Sequence, residues 1–159
     1  MGRFLMDCGR LKDARTALWK AKAYGPDAGG RINELKVRWL EAQINLGLGE
    51  LERAEMALLE VRNGFEEANL PYKSALAGLE LGLVMLRRRR PDAAAREVLA
   101  AVQVFYSLGI AREVNASVLL LRKAIEQDKL EVALLEFVIE KLRKAEEAPG
   151  GPFEPPAWE

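Results

Sequence analysis

The sequence predicts an all-α fold of antiparallel helix pairs, and three observations carry that prediction. A short pattern recurs four times, with turn residues Gly9, Gly49, Arg89 and Asp128 standing 40, 40 and 39 residues apart. Five residues after each comes an alanine (Ala14, Ala54, Ala94, Ala133), and nine residues after each a large apolar side chain (Leu18, Leu58, Val98, Phe137). A small residue beside a tight turn lets two helix backbones approach, and the apolar residue one helical turn later seals their seam. Between the turns, apolar residues recur at three- and four-residue steps, the period of a helix with one buried face. No run alternates with period two, so strands are not expected.

Each element has a local reason. Residues 1–24 hold half a helix pair around Gly9, and the loop Tyr24-Gly25-Pro26-Asp27-Ala28-Gly29-Gly30 follows. From 31 to 48, Ile32, Leu35, Trp39, Ile44 and Leu46 mark a helix, and from 50 to 68 Leu51, Ala54, Leu58, Val61 and Phe65 form one stripe. Leu70-Pro71 stops that helix, because the residue before a proline is pushed out of helical space. Residues 72–88 are apolar nearly all round, which predicts a helix enclosed on every side. Pro91 suits a first helical turn, where its missing N–H removes no bond. The helix it opens runs to about Leu108, where Gly109 offers a left-handed cap. Helices at 110–127 and 129–148 complete the series, and the Gly- and Pro-rich tail 149–159 is not helical.

The register extends upstream of the turns. Gly2, Ala42 and Gly82 stand seven residues before three of them, and Leu5, Asn45, Met85 and Ala124 stand four before all four. This arrangement resembles the tetratricopeptide repeat (TPR) over about residues 2–147. It departs in its period, near 40 rather than about 34. Arg89 and Asp128 replace the turn glycine, and no aromatic precedes the turns. The stretch Phe105–Glu113 is similar to linkers in TPR arrays of bacterial regulatory and signalling proteins. The resemblance implies a right-handed α-α superhelix, a solenoid with a half repeat at 1–24 and repeats at about 31–68, 72–108 and 110–148. It also implies a concave groove, lined by the first helix of each pair, that binds extended or helical protein segments. Carried onto this chain, the groove comprises Lys36, Trp39, Gln43, Leu79, Leu83, Arg87, Asn115, Val118 and Arg122. Trp39, Leu79, Leu83 and Val118 would bury apolar groups of a partner, and the polar members would orient it. The function so implied is a protein–protein interaction scaffold or regulatory module. The alternatives are small-molecule sensing and self-assembly within a larger regulatory protein.

Composition narrows the chemistry. The chain has 159 residues, 24 basic and 24 acidic, no histidine and one cysteine. Without histidine, the commonest general base and metal ligand is absent. Cys8 alone makes neither a disulfide nor a thiolate metal site, and among apolar neighbours it reads as a core residue. Ser74, Ser107 and Ser117 lack a nucleophile context, and carboxylate pairs such as Glu52/Glu55 fall on solvated faces. Gly25–Gly30 has no Gly-Lys-Ser/Thr after it, and no Asp-rich cation loop occurs. No catalytic residue, cofactor or metal is expected. Zero net charge argues against nucleic acid as a partner, and no apolar run approaches the length of a membrane span. Lacking a leader pattern, the chain reads as cytoplasmic.

Three features remain open to function. Arg87-Arg88-Arg89-Arg90 reads first as a set of cations at a helix C-terminus, favoured by the helix dipole. Residues 1–22 carry a net +4 and residues 126–159 a net −5, which would favour end-to-end association. The short segment before Gly9 leaves an apolar edge (Phe4, Leu5, Leu11, Leu18, Trp19), expected to continue into a longer array or to meet a partner or second copy. The tail offers Phe153 and Trp158 as docking anchors on a proline-stiffened segment.

Overall fold

Among the described residues, five turns connect the helices between residues 30 and 147, and each contains one residue with positive φ: Gly49 (78°), Asn69 (60°), Arg89 (60°), Gly109 (65°) and Asp128 (53°). They stand 20, 20, 20 and 19 residues apart, half the spacing seen in the sequence pattern. At Gly49, Asn69, Arg89 and Asp128 the next amide reaches back five residues. Glu50 N–H donates to the Asn45 carbonyl, Leu70 to Phe65 and Arg90 to Met85, each at 2.9 Å, and Lys129 donates to Ala124 at 2.7 Å. This closing pattern satisfies carbonyls that a helix end would otherwise leave free. It recurs with asparagine, arginine or aspartate in the left-handed position, at a strain of about 1 kcal/mol each.

The computed structural model describes residues 12–18, 30–109 and 112–147, with the side chains of residues 112, 113 and 147 excepted. The turn at Gly9, Cys8, most of the apolar N-terminal edge, the loop before Gly30, and the tail with Phe153 and Trp158 lie outside the described residues. Among the described residues the protein is all-α, with seven helices and no strand. These are α1 (residues 12–18), α2 (Gly30–Gly47), α3 (Leu51–Glu67), α4 (Pro71–Arg87), α5 (Pro91–Ser107), α6 (Arg112–Glu126) and α7 (Val132–Glu147). None is long and apolar enough to cross a membrane. Pro71 and Pro91 each open a helix, as expected. Asn63-Gly64, a dipeptide suited to hairpin turns, lies instead inside α3. There Gly64 accommodates the Leu35 side chain, which a Cβ would displace.

Packing follows chain order from α2 to α7, with one addition: α7 also packs on α4. The two run antiparallel, since Lys73 pairs with Glu146 at one end and Arg87 with Glu136 at the other. Between them the Tyr72 hydroxyl donates to the Leu142 carbonyl at 2.8 Å. Helices α4 to α7 therefore close a ring of contacts, while α2 packs on α3 and reaches α4 through side-chain hydrogen bonds. α4 belongs to both parts, and every residue from Ala75 to Val84 is buried. Its glycines permit this: a Cβ on Gly82 would lie 2.6 Å from Val98 Cγ2 and 3.4 Å from the Ala94 carbonyl. Edge-to-face pairs, Trp39–Phe65 at 5.4 Å and Tyr72–Phe105 at 5.2 Å between ring centroids, fill the seams on either side.

The last helix departs from the spacing read in the sequence. Ala54, Ala94, Leu58 and Val98 are fully buried, but Ala133 is exposed and Phe137 is 50% exposed. The buried residues of α7 are Leu135, Val138, Ile139 and Leu142. The cause is the connection. α3, α4 and α5 begin two residues after their positive-φ residue, whereas α7 begins four after Asp128. Counted from the helix start, Leu135, Ile139 and Leu142 occupy the positions of Ala54, Leu58 and Val61 in α3. Two extra connecting residues move the buried face by two positions, because each residue turns the helix about 100°.

Candidate functional site: a pocket walled by α2 and α7

On α4, Lys73, Leu76, Glu80, Leu83 and Arg87 follow a three- and four-residue step and so share one face. α7 lies along this face, and α2 flanks it without packing closely on α7. Between these walls is a pocket of about 260 Å³ lined by Lys36, Trp39, Leu40 and Gln43 from α2, Lys73 and Leu76 from α4, and Arg143 and Glu146 from α7. Lys36 and Leu40 are exposed and form its outer lip.

Glu80 lies beneath this pocket and is fully buried. It accepts hydrogen bonds from Trp39 Nε1 at 3.0 Å and from Gln43 Nε2 at 3.1 Å, and it pairs with the Arg143 guanidinium. One carboxylate on the central helix thus ties both walls together. Burying a charge is tolerable only with this degree of compensation. The Arg143 side chain is only 12% exposed, and its buried Nε has no acceptor among the described residues. Nearby, burial raises the Tyr72 hydroxyl above its ordinary pKa, and Glu146 adds to the effect. That phenol stays protonated and acts as a donor.

The structure brings together Lys36, Trp39 and Gln43 from the residues assigned to a groove. Leu79, Leu83 and Val118 are fully buried among the chain's own helices. Arg87 pairs with Glu136 at the end of the α4–α7 seam, away from the pocket lining. Arg122 pairs with Glu126 and lies over the Tyr106 ring of α5, 5.8 Å from its centroid. It and half-buried Asn115 belong to α6, which packs on α5 and α7 and contributes nothing to this pocket. The pocket residues missed by sequence reasoning are Leu40, Lys73, Leu76, Arg143 and Glu146, with Glu80 beneath them. Glu80 carried a signal, as the one charge inside a run of apolar residues. Lys73, Arg143 and Glu146 depend on α7 folding back, which no local pattern announces.

Three of the four arginines in the run make internal contacts. Arg88 and Arg90 both pair with Glu55 of α3, and Arg87 with Glu136 of α7. Burial would raise Glu55, but hydrogen bonds from Arg90 and Arg88 outweigh it and hold the carboxyl below its ordinary value. A larger open cleft, about 570 Å³, lies on the opposite face of α4. It is floored by Ser74, Ala75, Gly78, Ala100 and Ala101, and its charged walls are already matched by the Arg62–Glu97 pair. The smaller pocket brings convergent polar groups together with one exposed apolar side chain, Leu40, a combination suited to recognition. Among the described residues no cluster of acidic, cysteine or histidine side chains could hold a metal ion. No protein-family model, curated protein or solved structure matches the chain.

Proposed function

We propose that the chain is a TPR-like interaction module that takes a segment of a partner protein in the pocket between α2 and α7. The observation that carries this reading is the meeting of Lys36, Trp39 and Gln43, expected on a groove face, with exposed Leu40 at the lip of a concave pocket. The binding surface is shorter than a full groove because α7 fills the space along α4. A partner segment would set one apolar side chain against exposed Leu40 and the edge of Trp39, and a carboxylate toward Lys36. Gln43 and Glu80 hold the indole in place from behind, so the apolar wall is rigid before binding.

Selection of peptides from a random display library against the full chain tests this. Enriched sequences are expected to carry an acidic residue beside an apolar one, and to lose binding to a Lys36→Glu, Leu40→Asp variant. Both substituted side chains are exposed, so the fold should persist. Enriched peptides that bind this variant undiminished would place recognition elsewhere, and failure to enrich any peptide would count against the module reading.

A further inference from the structure

The pocket lies at the point where the chain leaves α7. Glu146, in the last turn of that helix, is one of its lining residues. The sequence beyond, Ala148-Pro149-Gly150-Gly151-Pro152-Phe153-Glu154-Pro155-Pro156-Ala157-Trp158-Glu159, therefore starts at the pocket's edge. Its length spans up to about 40 Å when extended, several times the width of a helix. Its charge is complementary. The pocket presents Lys36, Lys73 and Arg143, of which the last two are matched by Glu146 and Glu80. Residues 148–159 contain two glutamates and no basic residue. The prolines lower the entropy lost on docking, and Phe153 and Trp158 supply apolar anchors.

We infer that residues 148–159 seat in the pocket of their own chain, with an aromatic side chain against exposed Leu40 and the edge of Trp39 and Glu154 facing Lys36. The tail is then an internal competitor: it covers the pocket at the effective concentration set by its short tether, and a partner must displace it. This inference rests on the reading of the pocket as a site for extended segments. The larger cleft on the far side of α4 is a poorer seat, because its one arginine is already paired with Glu97 and the remaining charge, Glu66, would repel the tail.

A nitroxide on Ala157→Cys, in the 159-residue chain carrying Cys8→Ser, tests the contact without any partner. Amide signals of Lys36, Leu40 and Gln43 should be broadened, unchanged on dilution, and restored by Lys36→Glu with Lys73→Glu while the remaining spectrum stays folded. Sharp signals at these residues would overturn the inference. So would broadening confined to α5 and α6, or broadening that appears only when the nitroxide is on a different copy in a mixed sample. The outcome is independent of peptide selection. Broadening without selectable peptides would retain the tail contact and remove the partner site, and the reverse result would do the opposite.

Discussion

Helices α2 and α3 and helices α4 to α7 are built from similar amphipathic segments, yet they end up differently enclosed. Both leave large apolar side chains exposed, Ile32, Leu40, Met56 and Leu59 on α2–α3 and Leu99, Leu119, Leu120 and Phe137 on α5–α7, so the contrast lies in α4. In the closed part α4 has ten consecutive buried residues, from Ala75 to Val84, including a carboxylate. The difference lies in contact topology rather than in hydrophobicity alone. α7 returns to α4 and gives that helix a third packed side, whereas nothing among the described residues returns to α2 in that way. A charge at position 80 is tolerated because donors from both parts converge on it. Enclosure makes a core, and incomplete enclosure leaves a pocket.

Breaking the strut between the two parts should have the largest effect. Glu80→Leu strands the Arg143 guanidinium in the interior, and a loss of about 3–5 kcal/mol is expected in urea unfolding. Adding Arg143→Leu should recover most of it. If the single substitution were neutral, Glu80 would not tie the walls. Next, Ile139→Ala in α7 should cost about 3 kcal/mol, whereas Met56→Ala on the open part should change stability by less than about 0.5 kcal/mol. Equal losses would erase the contrast drawn here. Gly82→Ala forces Val98 and the α5 backbone away from α4 and should destabilise by about 1–3 kcal/mol. A neutral result in thermal unfolding would mean that this seam is looser than the geometry indicates.

The smallest effect concerns Glu55, where the two parts meet through Arg88 and Arg90. Its folded pKa is below the ordinary 4.5, so its stabilisation is present above that value and is lost as pH falls through the lower, folded one. Glu55→Gln should therefore cost about 1 kcal/mol at neutral pH, given partly exposed arginines. It should also flatten the acid limb of a stability–pH curve. An acid limb identical to that of the parent chain would assign the loss to other carboxylates.

Much of the architecture was legible before any coordinates. Helix existence, the prolines at 71 and 91 and the cap at Gly109 follow from local sterics, and they stand where expected. Ala54, Ala94, Leu58 and Val98 are buried as their spacing required. The same spacing placed Ala133 and Phe137 inside, and there it failed. Position was counted from the turn residue, while burial depends on where the helix starts, and the longer connection after Asp128 separates the two. Of the candidate site, the α2 wall was legible because Lys36, Trp39 and Gln43 share one face of a single helix. The α7 wall was not, since Arg143 and Glu146 are more than sixty residues away from their α4 partners.

What the sequence by itself determined is therefore the set of helices, the turns between them and the face that most of them bury. These depend on backbone sterics and on side-chain period, and both act over a few residues. Only the tertiary structure decided that α7 packs back on α4, that Glu80 is shared by two walls, and that Arg87, Arg88 and Arg90 pair with Glu136 and Glu55. Those outcomes depend on which apolar faces meet once all helices compete for the same interior. That competition is a property of the whole chain, and no single segment encodes its result.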